Sequence, residues 1–258
     1  MISPARRPLV AGNWKMHTTV PEALNLTTLI RQRLDAQPPA DVVLLPPFTS
    51  VWPMQQLLAG DPRIAVGAQD CYWDTAGAFT GQISADMLRE SCQHVLVGHS
   101  ERRHLFGDTN EVVRRKLDAV LAAQLTPLLA VGETAEERSS GRTAAVLREQ
   151  VISGLGGLAP AVLRGGSLAY EPVWAIGAGK TADLEDIATV IAQIRGVLDE
   201  LDSGAGIEVR VLYGGSVTPE SAPSILGLME VDGALVGGAS LDPEEFCAIV
   251  AAAGTNAN

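Results

Sequence analysis

Three side chains that can move or attract protons, Lys15, His99 and Glu171, each follow a short apolar run within a few residues. If those runs are parallel strands, the residues after them lie at one edge of the sheet, where ligands bind in such folds. An ammonium, an imidazole and a carboxylate placed together there supply a cation, a proton donor and a general base. Single Lys and Glu residues are most often solvated surface charges, so the position after a strand is what favours a catalytic role.

His99 directly precedes Ser100 and Glu101, a pair typical of the first turn of a helix. The positive end of a helix dipole favours a neutral imidazole, which can donate a hydrogen bond to a carbonyl oxygen. The other histidines, His17, His94 and His104, have no comparable position. We interpret them as surface or structural residues.

Glycine pairs follow the last two apolar runs, at 214–215 and at 237–238. Glycine-rich turns expose backbone N–H groups, and a helix that follows adds its positive end, so such turns suit a phosphate without additional Lys or Arg. Either glycine pair alone is most simply interpreted as a turn of the chain. Their occurrence after consecutive strands favours a phosphate site.

Residues 172–181 (PVWAIGAGKT) combine rigid Pro and Trp at one end with small residues in the middle. This pattern predicts a hinged lid that covers Glu171 when ligand binds. The same stretch resembles half of a P-loop, but the position that needs the leading glycine is Trp174. The P-loop interpretation therefore fails.

The apolar runs recur eight times without polar alternation, as strands buried on both faces do. Between them the apolar spacing becomes helical, most clearly over 184–201. Alternation of strand and helix requires parallel strands, and the count of eight favours a closed barrel over an open sheet. We therefore predict one domain, residues 1–258, with a closed eight-stranded parallel (β/α)8 barrel. The runs are 9–11, 42–45, 64–66, 95–97, 128–131, 168–170, 209–213 and 234–236.

Charge and cysteine content limit the possible partners. The chain has 258 residues, 19 Lys and Arg against 30 Asp and Glu, and a formal net charge of -11, which disfavours nucleic acid and anionic membranes. Its 3 Cys are odd in number and have no metal-ligand spacing, so we expect neither a disulfide framework nor a metal site. Without an apolar run of secretory or membrane-spanning length, a cytoplasmic location is expected.

Five segments carry a more specific signal than spacing: residues 11–16 (AGNWKM), 97–103 (VGHSERR), 169–177 (AYEPVWAIG), 213–217 (YGGSV) and 233–239 (GALVGGA). Together they strongly resemble the triosephosphate isomerase family, over nearly the whole chain. The resemblance implies a TIM barrel fold and an isomerase that acts in glycolysis and gluconeogenesis. It also implies interconversion of dihydroxyacetone phosphate and glyceraldehyde 3-phosphate without a metal or an organic cofactor.

The resemblance assigns a role to each candidate catalytic residue. Glu171 would carry a proton between neighbouring carbons, and neutral His99 would polarise the carbonyl and pass protons between the two oxygens of an enediolate. Lys15 would supply positive charge, Asn13 a hydrogen bond, and Glu101 a supporting charge near Lys15.

By the same resemblance, backbone N–H groups of Gly177, Ser216, Gly237 and Gly238 would hold the phosphate of a small sugar substrate. Closure of the lid at 172–181 would exclude water and protect the intermediate.

Residues 76–82 resemble the protruding loop of the family, which implies a homodimer. The chain departs from the family pattern at four positions: Ala130 replaces a Cys, Asp70 an Asn, Gln82 a Glu and Ala178 a Thr. None of these departures removes a catalytic group. Because Gln82 has no charge, an ion pair expected between subunits at this position is in doubt. At Asp70 the local packing expected from the family is in doubt.

Two other functions stay open at the level of sequence. One is a related isomerase that takes a four-carbon ketose phosphate. The other is a catalytically silent phosphate-binding barrel, which predicts loss of a catalytic group; Lys15, His99 and Glu171 are all present.

Overall fold

Eight parallel strands form a closed barrel in the computed structural model, which describes residues 6–158, 165–176 and 182–254. Each strand pairs with the next along the chain, and the last pairs with the first. All eight predicted strands are confirmed, with ends shifted by one or two residues. They are β1 Leu9–Asn13, β2 Asp41–Leu45, β3 Ile64–Ala68, β4 His94–Val97, β5 Thr126–Val131, β6 Ser167–Tyr170, β7 Arg210–Tyr213 and β8 Gly233–Val236.

Helices connect the strands on the outside of the barrel, and the predicted helix over 184–201 is confirmed at both ends. Within the described residues they are α1 Val20–Arg33, α2 Phe48–Leu57, α3 Ala85–Leu88, α4 Ser100–Phe106, α5 Asn110–Ala122, α6 Ala135–Ser139, α7 Thr143–Leu155, α8 Leu184–Leu201, α9 Ala205–Glu208, α10 Ala222–Leu226 and α11 Pro243–Ala252. None of them is both long and apolar enough to cross a membrane.

Local sequence fixes where several helices begin. Thr19 and Glu22 form a capping box before α1, in which the Glu22 carboxylate accepts from the Thr19 amide at 2.7 Å. The Asp183 carboxylate accepts from the Glu185 amide and so caps α8. Such caps satisfy amide groups that a helix start leaves unpaired, so these boundaries are set by a few residues.

The strands are buried on both faces, which explains their lack of polar alternation. Their inward side chains fill the barrel with a small cluster, and their outward side chains pack against the helices. Ala11 and Ala169 belong to the inner cluster. Because side chains alternate along a strand, Asn13 and Glu171 share the inward direction and enter the mouth of the barrel.

The predicted lid is only partly within the described residues. Residues 173–175 form a 3₁₀ turn directly after Glu171 and Pro172. Residues 177–181, with Gly177 and Ala178, lie outside the described ranges. The first half of the lid is therefore a short, turned segment packed at the end of β6.

Candidate active site

A cavity of about 320 Å³ opens at the carboxyl ends of the strands. This volume lies within the range of small-molecule sites. Seven predicted site residues line it: Asn13, Lys15, His99, Glu171, Ser216, Gly237 and Gly238. Glu101 lines an adjoining groove of about 270 Å³ that shares Asn13, Lys15 and His99 with the cavity. The fold thus brings together every predicted site residue in the described ranges.

The Glu171 carboxylate is buried and held by two donors. Oε1 lies 2.9 Å from Nε2 of His99, and Oε2 accepts from the Ser100 amide at 2.8 Å. Its backbone amide donates to the Val131 carbonyl at 2.8 Å, which extends the β5–β6 pairing by one residue. This geometry places a shielded anion directly against the imidazole.

Gly132 makes the close packing of Glu171 possible. A Cβ atom added at Gly132 would lie 1.7 Å from the Glu171 carbonyl oxygen, far inside van der Waals contact. Any side chain there would push the backbone of Glu171 away from the cavity. The glycine after β5 is therefore a requirement of the site.

His99 lies two residues after the end of β4 and caps α4, so the predicted helix start at Ser100 is confirmed. The Glu101 amide donates to Nδ1 at 3.3 Å, which leaves Nε2 as the nitrogen that donates to Glu171. Burial lowers the pKa of His99, whereas the Glu171 carboxylate, with a smaller contribution from Glu101, raises it above its ordinary value. The proton affinity of the imidazole therefore depends on where the Glu171 carboxylate lies.

Lys15 adopts a left-handed backbone conformation, with φ of 52°, that few non-glycine residues take up. Its amide donates to Asn13 Oδ1 at 3.1 Å, and the Gln69 side-chain amide donates to its carbonyl at 2.8 Å. The ammonium lies 2.8 Å from Glu101 Oε1, as the predicted supporting role requires. Gln69 was not predicted as a site residue, although its position directly after β3 indicates that it lies at the same edge of the barrel as the site.

A buried ionic cluster connects α4 to α5 and to the residues after β3. The Lys116 ammonium, 2% exposed, lies 2.8 Å from Asp70 and 2.5 Å from Asp108. Arg102 contacts the same carboxylates at 3.0 Å and 3.3 Å. Two cations thus balance two anions, so Asp70, which departs from the family pattern, is well accommodated. Because Arg102 follows Glu101, the cluster also fixes the first turn of α4.

The fully buried Glu133 anchors the first half of the lid. Its Oε1 accepts from Trp174 Nε1 at 2.9 Å and from the Tyr170 hydroxyl at 3.2 Å. The Val173 amide donates to its carbonyl at 3.2 Å. This contact was not predicted, because the Glu133 and Trp174 side chains meet only when β5 and β6 pair.

Backbone turns form the other side of the cavity. Ser216 follows the Gly214–Gly215 turn after β7, and Gly237 and Gly238 begin the 3₁₀ turn Gly238–Leu241 after β8. Gly214 packs against Glu171, since an added Cβ would lie 2.9 Å from Glu171 Cγ. The two turns therefore line the same cavity as the carboxylate and the imidazole. The fourth predicted phosphate ligand, Gly177, lies outside the described residues.

A carboxylate and an imidazole beside an ammonium, facing amide-rich turns at the mouth of a parallel barrel, can move a proton within a small phosphorylated molecule. The fold and the site define an intramolecular aldose–ketose isomerase of the barrel class.

Comparison with known proteins makes the assignment specific. A family model described as triosephosphate isomerase matches residues 8–253. A triosephosphate isomerase from Moorella thermoacetica is 48% identical over 246 residues, covering 95% of this chain and 98% of that protein. One from Alkaliphilus metalliredigens is 45% identical over 247 residues, covering 95% and 99%. The crystal structure of triosephosphate isomerase from Bartonella henselae has a TM-score of 0.87 at 37% identity, covering 95% and 98%. The chain belongs to the triosephosphate isomerase family.

The His99 contacts predict a pH effect. Substitution Glu171→Gln removes the main group that raises the pKa of His99. Burial, which is the largest effect and lowers this pKa, then outweighs the smaller opposing effect of the Glu101 carboxylate. The pKa of His99, followed by ¹⁵N NMR, should then lie below the ordinary value of 6.5. In Glu111→Gln, which removes an exposed charge on α5, His99 should titrate as in the unsubstituted chain. A pKa above the ordinary value in Glu171→Gln would show that Glu171 does not control the ring.

Proposed function

We propose that Glu171 is the base that carries a proton between the two carbons as dihydroxyacetone phosphate and glyceraldehyde 3-phosphate interconvert. The observation that supports this role most strongly is the buried Glu171 carboxylate 2.9 Å from His99 inside the cavity. In the free protein this carboxylate rests on the Ser100 amide. It turns from that amide toward the substrate carbon, and it returns the proton to the neighbouring carbon through an enediolate.

His99 acts on the oxygens of the same intermediate. When Glu171 turns toward carbon, the interaction that raises the pKa of His99 weakens, and burial, Lys15 and the amide on Nδ1 favour the neutral ring. Nε2–H then donates to the substrate carbonyl and passes protons between the two oxygens. A neutral imidazole suits this step because the pKa for loss of its N–H proton is closer to the pKa of the enediol than the pKa of an imidazolium is.

Lys15 stabilises the negative charge of the enediolate and the phosphate. Its strained backbone is fixed by the Asn13 side chain and by Gln69, and its ammonium is fixed by Glu101. Asn13 also gives the substrate a hydrogen bond from the floor of the cavity. Preorganised charges of this kind lower the barrier without rearrangement during the reaction.

The phosphate binds to the amides of Ser216, Gly237 and Gly238, with Gly177 of the lid as a fourth donor. The first three residues line the cavity, and Gly237 lies beside Lys15, since a Cβ added there would be 3.7 Å from Lys15 Cε. Closure of residues 172–181 shields the enediolate from water, which suppresses loss of phosphate. The Trp174–Glu133 hydrogen bond holds the first half of this lid in the free protein.

The other functions considered for this barrel have less support. A catalytically silent barrel would lack a catalytic group, whereas Lys15, His99 and Glu171 all line one cavity. The relatives carry the triose name, and no feature of the described cavity favours a four-carbon ketose phosphate. Triose phosphate is therefore the substrate that we propose.

Glu171→Asp tests the role of the base. The shorter side chain retracts the carboxylate by roughly 1 Å or more, which should lower kcat about a hundredfold through misplacement. Glu136→Asp on α6 is the control, since it shortens an exposed carboxylate and should leave kcat unchanged. Glu171→Gln should abolish isomerisation and still bind phosphate. Unchanged kcat in Glu171→Asp would contradict the assignment.

We also propose that the chain works as a cytoplasmic homodimer joined near residues 76–82. Three apolar side chains on the groove beside the cavity, those of Met16, Phe48 and Phe106, are 95%, 39% and 66% exposed. Exposed apolar side chains clustered around one groove are typical of a protein interface. Residues 76–82 reach the same face, since Gly81 and Gln82 line that groove. Cys71, Cys92 and Cys247 are free thiols, which suits a reducing compartment.

Met16→Asp tests this interface. The substitution places a charge in the groove and should shift the dimer toward monomer in sedimentation equilibrium. Met229→Asp is the matched control, because Met229 is 88% exposed and lies on another part of the surface. A monomeric unsubstituted chain, or equal effects of the two substitutions, would contradict the proposed interface.

A further inference from the structure

Glu245 places a negative charge at the phosphate side of the cavity. Besides His99, the charged side chains that line the cavity within the described residues are Lys15, Glu171 and Glu245. Glu245 lies in the first turn of α11, which follows the 3₁₀ turn that begins at Gly238. Its carboxylate therefore lies on the part of the wall that carries the proposed phosphate amides.

The other acids of this turn are engaged elsewhere. Asp242 caps α11 by accepting from the amides of Glu244 and Glu245 at 2.8 Å and 3.0 Å. The Glu244 carboxylate lies 3.3 Å from the Arg33 guanidinium. In the described part of the chain, no cation lies within 4.0 Å of the exposed Glu245 carboxylate. Its charge is thus available to act on an anion in the cavity.

We propose that Glu245 is a specificity-determining residue that weakens phosphate binding and excludes ligands with further negative charge beyond one phosphate. The proposal rests on the phosphate position given under the proposed function. Like charges in a solvated cleft repel each other, and the repulsion weakens with distance and with salt. A second anionic group attached to the phosphate would extend toward the outer wall and meet Glu245 more closely. The ligand class favoured by this arrangement is the monophosphate ester, and diphosphates are disfavoured.

The kinetic consequence follows from where the charge changes during the reaction. The phosphate keeps the same charge in the substrate and in the transition state, whereas the reacting carbons and oxygens do not. Repulsion by Glu245 therefore acts equally on both states, which affects KM and leaves kcat unchanged. This pattern separates Glu245 from Lys15 and Glu171, whose loss lowers kcat.

Glu245→Gln tests the proposal, with Glu244→Gln as the matched control one residue earlier on the same turn. At about 0.01 M ionic strength, where the Debye length is about 30 Å, Glu245→Gln should lower the KM of glyceraldehyde 3-phosphate about threefold. Its kcat should stay within about twofold, and near 1 M salt, where the Debye length is about 3 Å, the effect should vanish. Glu244→Gln should leave KM unchanged at both salt concentrations.

Calorimetry with inorganic phosphate and pyrophosphate measures the selectivity without turnover. Glu245→Gln should tighten pyrophosphate binding more than phosphate binding. Equal changes for the two anions, an unchanged KM at low salt, or the same KM change in Glu244→Gln would overturn the proposal and leave the proposed function intact. An unsubstituted chain without isomerase activity would instead refute the proposed function, and the calorimetric comparison would still decide the role of Glu245.

Discussion

The contact between the Glu171 carboxylate and the His99 imidazole is the interaction on which the rest of the site depends. The two groups are 2.9 Å apart, and both are buried at the ends of strands that are not neighbours in the barrel. The carboxylate raises the pKa of the imidazole, so a rotation of the carboxylate away from the ring would lower that pKa. The amides of Ser100 and Glu101, at the start of α4, fix both groups in the free protein. A short helix start thus positions both groups that the proposed reaction uses.

Backbone requirements surround this pair and explain why small residues lie so close to it. Gly132 leaves room for the Glu171 carbonyl, and Gly214 leaves room for its side chain. The left-handed conformation of Lys15 is held by side chains from β1 and from the residue after β3. Strain of this kind persists where neighbouring contacts determine the conformation, and here the result is an ammonium aimed at the cavity. The proposed phosphate site uses amides, so an acidic chain of net charge -11 can bind an anion without a basic surface.

Much of this was accessible from the sequence because the signals are local. Eight uninterrupted apolar runs predicted a closed barrel, and the residues within a few positions after them included Lys15, His99 and Glu171. The contacts that were missed join residues distant along the chain: Gln69 meets Lys15 across 54 positions, and Lys116 meets Asp70 across 46. Lys116 lies within the buried stripe of α5, where a sequence pattern predicts an apolar residue or a solvated charge. Its partner Asp70 follows β3 and meets Lys116 only in the folded barrel, so spacing alone cannot reveal this contact.

The proposed reaction requires the buried Glu171 carboxylate to move the proton between the two substrate carbons. The most direct test incubates dihydroxyacetone phosphate with the protein in heavy water and follows the substrate and product carbons by NMR. A base that takes up a carbon-bound proton can exchange it with solvent, so deuterium should enter at the reacting carbons as isomerisation proceeds. Complete isomerisation with no deuterium on carbon would exclude the proposed role of Glu171, because it would show that hydrogen moves directly as hydride.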